Sequence, residues 1–499
     1  MKYSRSLKWI VIGAASIFAW WIFSTGKPMN KKQIAELRVR ITASTEIPEP
    51  TKVISTGDWY YLDHISGSLA GYDLEKKTFS TVYAQSWSSK PDGSHIFKLK
   101  PGIRFHDGTL ITEKDVIWSI KRHLIFKTST HFPFAEYVVG CENLKVLTDD
   151  CPGLFQSGPG EITIKLKTPS DSFYLQMASP ESGIWAASDM DPETAKLTAT
   201  KFSGPYFVDS KTPSEAVLKR NENSPVIQSH PNAPLQLRLL TMPLSQVENA
   251  FADKKLDLAI KMYSPMTKNS WAAKSIATSY TMPSSIIYLF GTGTGDRAPI
   301  GKDLMTALWG NIPDPKLSST ETFLPFTASY GLDRKQYLAE LPDKTAKTLR
   351  VMVPAGFFAP EFLEHIASQS KSVGTSIQFL PTAQAEFFAT FSDPTANQKC
   401  DYVMSIYAAS ERYPAMQLRM LAKQLVVPPI DLKPAEAPDV TEDRASILRD
   451  FQKWLLRSRQ AIPLYFDVTE YLYRSDIDLG FQSKSDAEIE LWHVQEKSE

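Results

Sequence analysis

The feature that most constrains this chain is the repeated exchange of strand-period and helix-period patterning. In the second half, "KTLRVMVP" (Lys347–Pro354) alternates as a strand does. "PEFLEHIASQSKSVG" (Pro360–Gly374) then places Phe362, Ile366 and Val373 on one helical face and closes on a glycine. "TSIQFLP" and "CDYVMSIYAAS" (Cys400–Ser410) follow as further strands. Strand, crossover helix, strand and a third strand make a parallel, doubly wound lobe. The first half mixes such units with hairpins. "SKPDGSHIFKLKPG" turns at Asp92-Gly93, and "SGPYFVDSKTPSEAVLKRN" gives two strands around Pro213-Ser214. The expected class is therefore mixed α/β.

The densest local signal is "KPGIRFHDGTLITEKDVIWSIKRHL" (Lys100–Leu124). Pro101-Gly102 and Asp107-Gly108 are turn dipeptides, and Ile103–His106 alternates between them like a half-buried strand. Thr112 stands at an N-cap position, with Glu113 and Asp115 in the first turn. Val116, Ile117, Ile120 and Leu124 recur at helical spacing. Either catalytic loop or scaffold would suit such a stretch, but it offers no strong nucleophile beside a base.

Elsewhere, short strands and turns are expected up to Pro101, with "SLAGYDLEKKTFSTVYAQSW" reading as a helix end, a polar turn and a strand. "EITIKLKTPS", "APLQLRLLTM", "SSIIYLF" and "AIPLYFDVTEYLYRS" read as strands. "PLSQVENAFADKKLDLAI" reads as a helix and a buried strand, "RASILRDFQKWLLRSRQ" as a helix and "AEIELWHV" as a last strand.

A chain of 499 residues has room for two or three domains. Lysine plus arginine and aspartate plus glutamate both number 55, so the net charge is zero, which argues against wholesale binding of nucleic acid or anionic membrane. Lys2, Arg5 and Lys8 precede an apolar run from Trp9 to Phe23. That run is long for a signal-peptide core and short for a spanning helix, so export is expected, with residues 1–26 either cleaved or kept as an anchor. Export permits disulfides. Cys141 and Cys151 flank the strand-like "NLKVLT" and read equally as a bridge or as two thiols; Cys400 is left over.

The common chemistries fail on their spacing. "FGTGTGDRAPIGK" (Phe290–Lys302) has Asp296 where a dinucleotide or phosphate loop needs glycine, and Asp303 where the phosphate loop needs Ser or Thr. The eight histidines form no metal-spaced pair, and no serine sits in a nucleophile elbow. No catalytic residue, metal ligand or cofactor is assigned, and the chain is not expected to be an enzyme.

The ordered motifs resemble those of the extracytoplasmic solute-binding proteins of the dipeptide/oligopeptide/nickel class, which serve ABC importers. The family's hairpin and "D-G-T" turn match Phe97–Thr109, and its "LAESW" resembles "YAQSW" (Tyr83–Trp87). "SGPYFV" with "LKRNENS", "KKLDLAI" (Lys254–Ile260) and "IPLYFDVTEYLYRSDIDLGF" are similar to later family strands, so the likeness runs in order over residues 37–499. The resemblance implies the type II periplasmic binding fold, two lobes with ligand between them. Lobe I would take residues 37–280, with an inserted subdomain at about 60–190; lobe II would take 281–464, and 465–499 would return to lobe I. Hinge crossings would lie near Thr281 and Tyr465. Lys100–Leu124 then reads as scaffold of the first lobe.

For the ligand, the resemblance places Tyr407 at an aromatic position in "IYAASERYPAM" and Ser410 where peptide binders carry an aspartate that neutralises the α-ammonium. A hydroxyl pairs a desolvated ammonium far less well than a carboxylate. Glu411 is adjacent and Arg412 would suit an anion, although all three also read as ordinary polar turn residues. Phe134 falls at a pocket tyrosine position, and Ser44 and Thr45 end the first strand at the cleft. The expected function is capture of a peptide or peptide-like solute and delivery to an ABC transporter permease. The expected protein is monomeric and periplasmic or extracytoplasmic, meeting membrane only through residues 9–23 and no nucleic acid. The alternative is a degenerate receptor that signals without feeding a transporter, which the anchor-like N-terminus and the missing aspartate favour.

Overall fold

The computed structural model describes residues 33–499 apart from 42–44, 54–55, 74–77, 127–137, 168–172, 262–275, 281–284, 293–297, 314–316, 325–330, 384–385, 388–389, 391–398, 409–417, 419–441, 481–489 and 498–499. Two large mixed sheets organise these residues. The first has seven strands in the order Ile276–Tyr280, Glu470–Arg474, Leu258–Lys261, Glu36–Ile41, Gln236–Thr241, Glu215–Arg220 and Tyr206–Thr212. The second has six, in the order Ser318–Ser319, Ala461–Asp467, Ser285–Gly291, Tyr402–Ala408, Thr348–Pro354 and Ser376–Thr382. Thr348–Pro354 pairs in parallel with both Ser376–Thr382 and Tyr402–Ala408, as the strand–helix–strand spacing predicts. This is a two-lobe α/β architecture.

Strands buried on both faces explain the apolar runs. Every residue of Ser285–Gly291 and of Ala461–Asp467 is buried, so those segments cannot alternate in polarity. The helix Pro360–Ser372 buries Phe362 and Ile366 beneath the second sheet's core, and Gly374 closes it at φ +83°. A four-stranded antiparallel sheet is separate: Ala84–Ser89, Ser94–Leu99, Glu161–Lys165 and Leu154–Gly158. It has its own core around Phe97, Phe105, Ile120, Leu124 and Ile164. Gly93 adopts φ +81° at the expected hairpin turn. Cys141 and Cys151 form a disulfide within that core, with Cα atoms 4.8 Å apart.

Lys100–Leu124 is scaffold. Asp107 accepts the Thr109 N–H at 2.9 Å, and Gly108 sits at φ +87°. His106 Nδ1 accepts the Phe202 N–H at 3.2 Å, and its ring stacks on Phe207 at 4.4 Å, so this histidine ties the turn to its neighbour. The Thr112 N–H and hydroxyl both donate to Asp115 Oδ2 at 2.7 Å, opening the helix Glu113–Phe126. Asp115 Oδ1 also accepts the Ala187 N–H at 2.7 Å, so one carboxylate caps the helix and docks a loop on it.

Some expectations give way to tertiary packing. Thr56–Ile65 is a helix among the expected strands and turns; its aromatic residues have modest helix propensity, and burial of Tyr60, Tyr61, Leu62 and Ile65 holds it. "SLAG" leads into the strand Ala70–Asp73, not out of a helix. Ile103–His106 makes an isolated bridge, Arg104 to Leu110, and no regular strand. "NLKVLT" between the bridged cysteines is turns and bends, because the Asp149 carboxylate accepts the Lys145 and Val146 N–H groups. In "AEIELWHV", Leu491–His493 is a 3-10 turn, since both Leu491 and Trp492 must be buried.

Candidate functional site

Among the described residues the chain passes between the two large sheets twice, and the strand ends that flank these two passages are paired. The strand Ile276–Tyr280 belongs to the first sheet and Ser285–Gly291 to the second; Ala461–Asp467 belongs to the second and Glu470–Arg474 returns to the first. Tyr280 is paired with Glu470 on one side of the passage, and Ser285 with Asp467 on the other.

Tyr407 sits where the second sheet ends at this passage. It is paired with Ile286, and the next residue, Ala408, is paired with Ser285. The Tyr407 hydroxyl donates to the Phe323 carbonyl, and its ring meets Tyr288 edge-on at 5.2 Å. Burial pushes its phenol well above the ordinary range, so it stays protonated. What it can offer a ligand is therefore ring surface, its hydroxyl being committed to the fold. Thr45 follows the first strand and is buried; its hydroxyl donates to the Thr212 carbonyl at 2.6 Å, and its own carbonyl accepts from the Tyr61 hydroxyl at 3.4 Å. Ser44, Phe134, Ser410, Glu411 and Arg412 lie outside the described residues.

The sequence reading missed the polar residues of the passage itself. Ser285, Asp467, Thr469 and Glu470 are all at most 4% exposed. Asp467 accepts the Val468 N–H at 2.8 Å. Their signal was present in "PLYFDVTEYLY", where two acids interrupt an otherwise apolar run. Among the described residues, no group of three or more His, Cys, Asp or Glu is arranged to hold a metal ion. Among them, also, no helix is long and apolar enough to cross a membrane; residues 1–32, which carry the anchor-like run, lie outside.

Residues 78–301 match the family model described as "Bacterial extracellular solute-binding proteins, family 5 Middle". No curated protein matches the chain. Solved structures match over nearly its whole length. OppA of Haemophilus influenzae, in complex with the peptide RPPGFSPFR, aligns with a TM-score of 0.74 at 11% identity, covering 94% of this chain and 100% of that one. The murein tripeptide binding protein MppA of Escherichia coli aligns at 0.71 and 14%, covering 94% and 99%. NikA of Brucella suis, in complex with Fe(III)-EDTA, aligns at 0.71 and 15%, covering 93% and 100%. These likenesses establish a two-lobe periplasmic-binding fold. Over residues 78–301 the chain is thus similar to the bacterial extracellular solute-binding proteins of family 5, and the solved structures share its fold.

Proposed function

We propose that this protein captures a peptide or peptide-like solute between its two lobes and presents it to an ABC transporter permease outside the cytoplasmic membrane. The observation that carries the reading is the pair of in-register passages, Tyr280 with Glu470 and Ser285 with Asp467, at the junction of the two sheets. They serve as the hinge of a closing cleft. Lobe I takes residues 37–280 with 465–499, and its insert builds the separate four-stranded sheet. Lobe II takes 281–464. A cleft between lobes is where a solute of this size is buried, and closure by bending accounts for capture and release.

Peptide is the favoured class because the family match coincides with structural likeness to OppA and MppA, whose names carry peptide ligands. Tyr407 supplies an aromatic wall at the sheet end, and Ser44, Thr45, Phe134, Ser410, Glu411 and Arg412 are the other proposed contacts. The basic and apolar start of the chain supports an extracytoplasmic site of action, with residues 9–23 as leader or anchor, and a monomer suffices for the function. Thermal shift against pools of short peptides tests the reading: a ligand at 100 times its Kd stabilises by about 2.7 kcal/mol, a shift of a few degrees. No shift with any pool, for protein purified free of bound ligand, would count against peptide capture.

A further inference from the structure

Arg122 lies on the helix Glu113–Phe126, whose Val116, Ile120 and Leu124 belong to the core of the four-stranded sheet. Arg122 itself is 1% exposed. Its Nη2 donates to both oxygens of Glu49, at 2.7 and 2.8 Å. Its Nε donates at 2.8 Å to the carbonyl of Ala195, a residue of the first sheet's core. Glu49 in turn accepts the Thr51 N–H at 3.1 Å and the Thr51 hydroxyl at 3.0 Å, opening the 3-10 turn Pro50–Lys52. Burying a guanidinium costs desolvation that its partner only roughly offsets, so such a pair adds little net stability. What a guanidinium fork does supply is fixed geometry. The part fixed here is the segment that follows the first strand. That strand runs parallel to Gln236–Thr241 and Leu258–Lys261, with Arg40 level with Ala259. It therefore ends at the sheet edge where Lys261 is paired with Glu470, the edge of the passages. Ligands of open α/β sheets lie outside the carboxyl ends of the parallel strands.

We propose that Arg122 and Glu49 are positioning residues, through which the inserted subdomain holds the segment from Thr45 to Pro50 as a rigid wall of the solute cleft. The inference rests on the solute-binding reading above and deepens it, because it gives the insert a task in capture. The segment is held at both ends. At its start, the Thr45 hydroxyl donates to the Thr212 carbonyl at 2.6 Å, the Thr45 carbonyl accepts from the Tyr61 hydroxyl at 3.4 Å, and Glu46 pairs with Lys211. Ile47 packs against the first sheet's core. At its far end, Glu49 is held from the insert, by Arg122. A wall with that end released samples several shapes. A solute fits one of them, and its apparent Kd rises in inverse proportion to the fraction of molecules in that shape. A lysine at position 122 would keep the charge, but a point charge cannot serve both Glu49 and the Ala195 carbonyl as the fork does.

The test uses the full chain and a mixed tripeptide library, with retention read by native mass spectrometry and affinity by calorimetry on retained members. The Glu49 side chain is 34% exposed, so Glu49→Gln leaves the core filled; it keeps an oxygen for Thr51 and removes the charge that holds Arg122. That variant is expected to weaken retained peptides about tenfold, the result of leaving about one molecule in ten with the wall in place. In ligand-free Glu49→Gln, hydrogen exchange should rise across residues 45–52 and stay unchanged in the strand Ser285–Gly291. Arg122→Lys should give the same two effects, and Glu49→Gln decides the matter even where Arg122→Lys fails to fold. A merely structural role would lower the melting temperature and leave the peptide affinity of the folded protein as it was. Unchanged affinity in Glu49→Gln, or exchange that does not rise across residues 45–52, overturns the inference while leaving peptide capture intact. Retention of no peptide by the wild type removes peptide capture and this inference with it.

Discussion

Asp257 accepts Arg474 Nη1 at 2.9 Å, and the Arg474 N–H returns to the Asp257 carbonyl at 3.0 Å. The same carboxylate, 1% exposed, takes the Arg38 N–H at 2.8 Å and Arg38 Nε and Nη2 at 2.7 Å each. One buried acid thus binds the first strand, the strand it precedes and the strand that returns from the second lobe. Removing it takes from Arg38 the carboxylate that holds its Nε and Nη2, and leaves Arg474 with Asp476 alone. Both guanidinium groups are partly exposed, which lowers the cost below that of a fully buried ion. Asp257→Asn is expected to destabilise by about 2 kcal/mol in urea denaturation. A loss below about 0.5 kcal/mol would show that the clamp is not what holds the return strand.

Acid should loosen the fold before it protonates most carboxylates. His64 is fully buried; its Nδ1–H donates to the Tyr60 carbonyl at 2.7 Å and its Nε2 accepts the Leu491 N–H at 3.2 Å. Those partners fix a neutral ring, and burial pushes its pKa down to about 4. Burial, with Arg122 adjacent, pushes His123 down to about 3. Both folded values lie below the ordinary 6.5. The stability from each neutral ring is therefore fully present above about pH 6.5 and is lost as pH falls toward the folded values, on the order of 3 kcal/mol for His64. Melting temperatures from pH 7.5 to 4 should fall, and His64→Gln should flatten the profile in that window. Parallel profiles for the two proteins would contradict the assignment.

The disulfide closes a short loop inside the small-sheet core. On the chain-entropy model its loss should cost about 2–3 kcal/mol. Denatured protein should take up one alkyl group before reduction, at Cys400, and three after it. Three without reduction would mean the bridge does not form.

Tyr407→Phe separates ring from hydroxyl. It removes the bond to the Phe323 carbonyl and should cost about 1 kcal/mol of stability while sparing ligand affinity. Tyr407→Ala should weaken ligand binding as well. A large affinity loss in Tyr407→Phe would place the hydroxyl, not the ring, on the ligand.

Much of the framework was legible because short-range chemistry dictated it. Asp92-Gly93 forces its turn through a positive φ, and Thr112 with Asp115 marks a helix start. Where the outcome depended on distant partners, the pattern misled. Thr56–Ile65 becomes helical because its aromatic residues are buried by other elements. Leu491 and Trp492 leave strand alternation because a 3-10 turn buries both and aims the Leu491 N–H at His64, 427 positions away. The site was less legible still. Tyr407 was readable as an aromatic at a strand end, but not that Phe323 would take its hydroxyl. Ser285 and Asp467 are unremarkable in one dimension; only the pairing of two passages, far apart in sequence, brings them together.

The most direct measurement is native mass spectrometry on the full chain, purified without refolding, for whatever lies between its lobes. The account predicts additional masses that resolve, on fragmentation, into short peptides. A single non-peptide mass, or empty protein that peptide pools fail to stabilise, would contradict it.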